Sequence, residues 1–214
     1  MFELLIKALL SYLLGAVIGS LVVGRFMGGT DIRSEGSGNP GGTNAFRTRG
    51  WKFALPVVLI DAGKGLVAVL LIAPLSLPFV APFMGNPGWL AVSCGAAAVI
   101  GHVWPVWFGF RGGKGMATYV GVLAGLGWPL LAVALLLWVV VLILTGFVSV
   151  ATMLAAIGVA LYTLLIGAVG PLFAFAAVMA AFMIYTHRSN IVRLRDGTEH
   201  RFEKVMLLSR WLGA

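Results

Sequence analysis

The sequence predicts an all-α polytopic membrane protein with seven transmembrane helices, its N-terminus outside and its C-terminus cytoplasmic. Three observations carry this reading. Of 214 residues, 60% are hydrophobic and only 10% charged, against roughly a quarter charged in a soluble domain. A chain this apolar meets its backbone hydrogen-bonding needs in lipid by forming helices. The charges fall into three islands, Arg25 to Lys64, Arg111 with Lys114, and Arg188 to Arg210, leaving only Glu3 and Lys7 outside them. The apolar stretches between islands divide into lengths that suit a bilayer, which needs about 20 residues of helix.

The elements follow in order. Leu4 to Val23 is an apolar run of about 20 residues with no A-x-A site behind it, so it reads as a span, about 4–24, and not as a cleaved signal. The first island follows and faces the cytoplasm by the positive-inside rule. The Pro-rich break from Pro74 to Pro87 divides the next apolar stretch into spans of about 53–73 and 88–107. Between Lys114 and His187 lie about 72 uncharged residues, and an even number of spans must return the chain to the same side. Two spans would be too long, whereas four of about 18 residues fit. Breaks at Gly125–Pro129, Thr145-Gly146 and Gly167–Pro171 set them at about 115–127, 129–145, 147–167 and 170–186, the first of them short. Trp51, Trp89, Trp104, Trp107 and Trp128 sit near the predicted ends, where interfacial aromatics collect. Residues 201–214 mix basic residues with Phe202, Val205, Leu208 and Trp211, which suits an interfacial amphipathic helix or a disordered tail. The whole of 1–214 reads as one integral-membrane domain.

The net charge of +8 does not argue for nucleic acid. Cytoplasmic loops of membrane proteins collect Lys and Arg, which also meet anionic head groups. The single cysteine, Cys94, excludes an intrachain disulfide and a Cys-based metal cluster.

Each island carries candidate chemistry. In GSGNPGGTNAFRTRG, Gly36 to Gly50, glycines let backbone N–H groups converge on an anion. Ser37, Asn39, Thr43 and Asn44 add neutral donors there, and Arg47 can grip phosphate oxygens in a bidentate manner. A turn-rich loop is the plain alternative. In the second island Gly112-Gly113-Lys114-Gly115 opens the fourth span, where a helix start offers free N–H groups to an anion. It is no Walker A loop, because position 108 is Phe and Gly115 follows the lysine. His102 could be a base, a phosphate donor or a structural hydrogen bonder, the last being favoured. The third island, HRSNIVRLRDGTEH, places His187, Arg188, Asn190 and Arg193 within about two helical turns, with His187 and Asn190 on one face. A basic stop-transfer flank accounts for the arginines but needs neither the His nor the Asn. Asp61 and Lys64, also at i and i+3, read as a neutralised pair inside the bundle, since a buried charge in lipid costs about 3 kcal/mol or more. Ser149 reads as a surface serine in a cytoplasmic loop. No H-x-x-x-x-D, G-x-S-x-G or H-E-x-x-H pattern occurs, and carboxylates are too few for a magnesium cage.

Three strings, SGNPGGTNAFR, GHVWPVWFGFRGGKGMAT and HRSNIVRLRDGTE, closely resemble the three cytoplasmic motifs of the bacterial acyl-phosphate:glycerol-3-phosphate acyltransferase family. DAGKG at Asp61 to Gly65 and FVSVAT around Ser149 also look like that family, and the similarity runs in order along nearly the whole chain. Gly42 stands where alanine is usual and Trp107 where phenylalanine is usual. The resemblance implies a seven-span enzyme of the bacterial inner membrane with its active site facing the cytoplasm. It would pass a fatty acyl group from acyl phosphate, made by a separate soluble phosphate acyltransferase, to the 1-hydroxyl of glycerol 3-phosphate. The products would be lysophosphatidic acid and inorganic phosphate, with no cofactor, metal or nucleic acid involved. On this resemblance Ser37, Arg47, Lys114, His187 and Asn190 are the catalytic candidates. Gly38, Asn39, Gly41, Thr43, Asn44, Lys52, His102, Gly112, Gly113, Gly115, Ser149, Arg188 and Glu199 are the substrate-binding candidates. Few groups can serve as a base, so a substrate phosphate oxygen is expected to take the hydroxyl proton. A transporter or flippase for a phosphorylated substrate would place its site near the midplane in repeated halves, but here the polar motifs gather at one face and no repeat is visible. A membrane phosphatase would want an activated nucleophile or a metal.

Overall fold

The computed structural model describes residues 1–203. The predicted tail lies outside the described residues from 204 onward. Every regular element among the described residues is helical, and the helices gather in two compact units, Met1–Gly127 and the chain from Trp128 onward.

The first unit contains α1 (Phe2–Gly15), α2 (Gly19–Phe26), α3 (Gly42–Arg49), α4 (Trp51–Val67), α5 (Gly88–Val103) and α6 (Met116–Leu126). A π turn over Ala68–Ile72 extends α4, and single 3-10 turns occur at Ile32–Ser34 and Val106–Phe108. Small residues set the packing, as they do where lipid supplies no hydrophobic drive between helices. A Cβ on Gly15 would overlap the Ala98 carbonyl and one on Gly101 the Tyr12 carbonyl, so α1 and α5 cross backbone to backbone. Gly65 against the Thr118 carbonyl and Gly121 against the Ala62 carbonyl bring α4 and α6 together in the same way.

Two predicted spans differ from expectation. The single span over 4–24 is broken: α1 and α2 meet at 42° around an extended Ile18. The break is stabilised from α4, where the Lys64 ammonium donates to the Val17 carbonyl at 2.6 Å and Asp61 Oδ1 accepts the Gly19 N–H at 3.1 Å. Hydropathy cannot register such an exchange of partners. The segment predicted over 115–127 is helical as α6, but its 11 residues reach only about 16 Å, roughly half the hydrocarbon thickness. Among the described residues four helices are long and apolar enough to cross a membrane, Trp51–Ile72, Gly88–Phe108, Trp128–Thr145 and Val148–Leu165, or up to six with each bent pair as one span. α3 was expected as loop; it runs from the extended Gly41 to Gly50, whose φ of 76° ends it.

The second unit contains α7 (Trp128–Thr145), α8 (Val148–Leu165), α9 (Pro171–Thr186) and α10 (Arg188–Arg195). Gly146, at φ 74°, turns α7 into α8. Pro171 opens α9 at a position where its missing N–H has no cost. α10 leaves α9 at 54°, and the chain beyond it returns to the α7–α8 turn. There the Phe202 N–H donates to the Gly146 carbonyl at 2.8 Å and Arg201 Nε to the Thr145 carbonyl at 3.1 Å.

Candidate active site

In the first unit Asn44 organises the first island. It is buried, its Nδ2 donates to the Ile32 and Glu35 carbonyls at 3.1 and 3.0 Å, and its Oδ1 accepts the Ser37 N–H at 3.0 Å. Both amide protons are therefore engaged, and Asn44 shapes the loop where the sequence reading made it a donor to an anion. Gly36 and Gly38 flank Ser37 at φ 55° and 70°. A Cβ at Gly36 would overlap Asn44 Oδ1, so the close approach requires glycine there. Ser37 is exposed. Asn39 accepts the Gly41 N–H at 2.9 Å, a local turn that leads into α3.

The cations of this island divide. Arg33 holds Asp31 with Nε and a terminal nitrogen, at 3.0 and 2.7 Å, and that hydrogen bonding lowers the Asp31 pKa below 3.8. Arg49 pairs with Glu35, whose pKa falls below 4.5 through the Arg49 hydrogen bond. Arg47 lies on the exposed face of α3 with its Nε 3.4 Å from the Thr43 carbonyl, and Lys52 is exposed at the start of α4.

The second island folds onto the end of α5. The Gly112 and Gly113 N–H groups each donate at 3.1 Å, to the Val103 and His102 carbonyls. A Cβ on Gly112 would overlap the His102 carbonyl, and one on Gly113 the His102 imidazole. Gly115, at φ 90°, then starts α6 with the half-buried Lys114 just before it. The first two islands meet where the Arg33 guanidinium lies 5.7 Å above the Phe108 ring. His102 is buried away from solvent beside Asp61 and Lys64, its Nδ1 3.4 Å from Asp61 Oδ1 and 2.8 Å from the Lys64 ammonium. Asp61 and Lys64 form the expected pair at 3.0 Å, both buried.

In the second unit Glu199 is the centre. Its Oε1 accepts from Ser149 Oγ at 2.9 Å and Asn190 Nδ2 at 2.6 Å, and its Oε2 accepts from Arg193 Nε at 2.8 Å. Burial pushes the Glu199 carboxyl up. The hydrogen bonds from Asn190, Ser149 and Arg193 and the Arg193 charge outweigh it and hold the pKa below 4.5, so the group is ionised at neutral pH. Ser149 is thus no surface serine: it is buried in this cluster. His187 is buried between α9 and α10, with Nδ1 2.8 Å from the Met183 carbonyl. A carbonyl only accepts, so Nδ1 carries a proton and donates it there. Arg188 stacks on Tyr185 at 4.5 Å and donates to its carbonyl at 3.1 Å. Arg193, to which the sequence reading gave no role, is fixed on Glu199. Their separation of six residues matches no helical rule, and only the return of the chain after α10 joins them. Among the described residues no group of three or more His, Cys, Asp or Glu could hold a metal.

Helices of membrane-spanning length, with glycine loops that carry cations and a polar cluster around one carboxylate, define a polytopic helical membrane protein. The glycerol-3-phosphate acyltransferase family model matches residues 5–197, and the chain belongs to that family of acyltransferases. Curated relatives of that name agree. One from Brucella anthropi is 43% identical over 192 residues, 89% of each chain, and one from a Synechococcus species is 41% identical over 192 residues, 90% of this chain and 92% of the relative. Among solved structures, PlsY, an integral membrane glycerol 3-phosphate acyltransferase, is 35% identical. Its glycerol 3-phosphate form aligns with a TM-score of 0.83 over 96% of this chain and 98% of that one, and its lysophosphatidic acid form with 0.82.

Proposed function

We propose that this protein transfers a fatty acyl group from acyl phosphate to the 1-hydroxyl of glycerol 3-phosphate, releasing inorganic phosphate and lysophosphatidic acid. The observation that carries this is the alignment, over nearly the full chain, with PlsY in glycerol 3-phosphate and lysophosphatidic acid forms. Acyl phosphate is a mixed anhydride with phosphate as its leaving group. Its transition state places charge on the carbonyl oxygen and on the departing phosphate, and oriented N–H groups and cations stabilise such charge. Glycine loops bearing Ser37, Arg47 and Lys114 suit that task. Ser37, Asn39, Arg47 and Lys114 bind phosphate and stabilise charge, on loops whose tight backbone turns Gly38, Gly41, Gly112, Gly113 and Gly115 shape. His187 and Asn190 hold glycerol 3-phosphate, with Ser149 and Glu199 fixing Asn190. His187 positions the glycerol 3-phosphate, and a substrate phosphate oxygen takes the proton of the attacking hydroxyl. Thr43, Lys52 and Arg188 are peripheral contacts.

The acyl phosphate comes from a separate soluble phosphate acyltransferase, and the chain lies in the bacterial inner membrane with these residues on the cytoplasmic side. With α6 counted as a short seventh span, the N-terminus is outside. The test uses purified protein with acyl phosphate and glycerol 3-phosphate, following phosphate release in time. Release that depends on glycerol 3-phosphate and matches lysophosphatidic acid formed is the expected result. Equal turnover with an acyl thioester, or phosphate release without glycerol 3-phosphate, overturns the reading.

A further inference from the structure

The buried polar cluster in the first unit does more than neutralise a charge. Lys64 spends its ammonium on three acceptors: the Val17 carbonyl at 2.6 Å, Asp61 Oδ1 at 3.0 Å and His102 Nδ1 at 2.8 Å. Asp61 Oδ1 in turn accepts the first N–H of α2, from Gly19, at 3.1 Å. One cluster therefore grips the α1–α2 break, from which the chain runs to the Ser37 loop, and also the end of α5, onto which the Gly112–Lys114 loop folds. An ammonium has donors only. His102 Nδ1 lies 2.8 Å from that ammonium and 3.4 Å from Asp61 Oδ1, so it accepts from the closer, charged partner, and the proton of the neutral ring lies on Nε2. That nitrogen faces Gly113, since a Cβ on Gly113 would overlap it. The His102 carbonyl also accepts the Gly113 N–H at 3.1 Å, so imidazole and backbone of one residue support the loop residue just before Lys114.

We propose that Lys64, seated by Asp61, is a positioning residue of the acyltransferase: it locks His102 in the Nε2–H tautomer beneath Gly113 and so sets the Gly112–Lys114 loop for its anion. The assignment rests on the reading that this loop binds a substrate phosphate. Neither Asp61 nor Lys64 touches substrate. They act through His102, and their effect is on geometry.

The chain has three histidines, so 15N-histidine labelling of the intact enzyme in lipid nanodiscs gives a spectrum of three imidazoles. The one lost in His102→Gln belongs to His102. In the wild type it should show protonated Nε2 and unprotonated Nδ1, and in Lys64→Met this pattern should change. Lys64→Met leaves the Asp61 carboxylate unpaired and can impair folding. Asp61→Asn/Lys64→Met removes both charges, and a buried pair replaced by neutral residues is often tolerated. In that double variant the apparent KM for glycerol 3-phosphate or acyl phosphate should rise by about tenfold to a hundredfold, the cost of a displaced binding group, while the thermal midpoint stays near that of the wild type. A wild-type His102 protonated on Nδ1 overturns the proposal. So does a folded double variant with unchanged His102 signals or unchanged kinetics. If the wild type does not acylate glycerol 3-phosphate at all, the functional reading fails instead, and the tautomer measurement still stands or falls by itself.

Discussion

Removing the Glu199 carboxylate should cost both stability and activity, and the structure sets the scale. Its side chain is only 8% exposed and receives three hydrogen bonds, while its partner Arg193 is 39% exposed. A hydrogen bond to a charged group contributes about 1.5–3 kcal/mol, but the Arg193 term is reduced by solvent screening. The bonds from Ser149 and Asn190 share one oxygen, so their contributions overlap. Glu199→Ala should therefore destabilise by about 3 kcal/mol, a fall of roughly 6–12 °C in thermal midpoint for a chain of this size. Glu199→Gln sets an amide N–H₂ against a donor on one side, and should fall between wild type and alanine. Asn190 and Ser149 lose their anchor, so the apparent KM for glycerol 3-phosphate should rise as well. The pH dependence has a definite sign. The folded carboxyl titrates below its ordinary 4.5, so its contribution is complete above about pH 4.5 and is lost as pH falls through the folded value. The Gln variant should lack that component. Thermal unfolding in detergent from pH 7 to about pH 3, with phosphate-release kinetics on the neutral-pH samples, provides the assay. A Glu199→Ala protein with the wild-type midpoint and wild-type KM would refute the idea that this carboxylate organises the cluster.

Arg47→Ala and Lys114→Ala should each lower turnover by about a hundredfold or more, the usual loss when a preorganised charge-stabilising donor is removed; near-normal rates at wild-type expression would count against both roles. Lys114→Arg should not restore full activity, because a planar guanidinium does not replace a compact ammonium. His187→Gln should keep measurable turnover while its KM for glycerol 3-phosphate rises. A thousandfold loss at saturation that added imidazole rescues would instead make His187 the general base. Single cysteines at Ser34, Gly109 and Thr198 in a Cys94→Ala background should react with an impermeant reagent from the cytoplasmic side only, and labelling of any one from outside would overturn the orientation.

Much of the site was legible because it is written in contiguous strings. Gly36–Gly50 and Gly112–Gly115 read as candidate anion loops by composition, and residues just ahead of each meet, the Arg33 guanidinium lying over the Phe108 ring. Asp61 with Lys64 was legible because a spacing of three puts two side chains on one helix face. Ser149 and Asn44 were misread for a common reason. A short polar side chain looks alike whether it faces water or a buried partner, and the partners are distant: Glu199 lies 50 residues from Ser149, and Ile32 lies 12 from Asn44. Hydropathy placed α4, α5, α7, α8 and α9 close to their observed ends but passed over the α1–α2 break, because broken and unbroken helices have the same composition.

What this sequence determined by itself is its solvent and its inventory: helices in lipid, cations in islands, glycines where backbone must turn or pack closely. Those properties are local, set by side-chain transfer energies and backbone freedom residue by residue. Only the tertiary structure decided which groups remain able to act. It spent Asn44 on its own loop, tied Arg33 and Arg49 to Asp31 and Glu35, fixed Ser149, Asn190 and Arg193 on Glu199, and gave Lys64 three acceptors from three segments of chain. A hydrogen bond needs its partner within about 3 Å at a suitable angle, and no property of a residue read alone states which distant residue will arrive there.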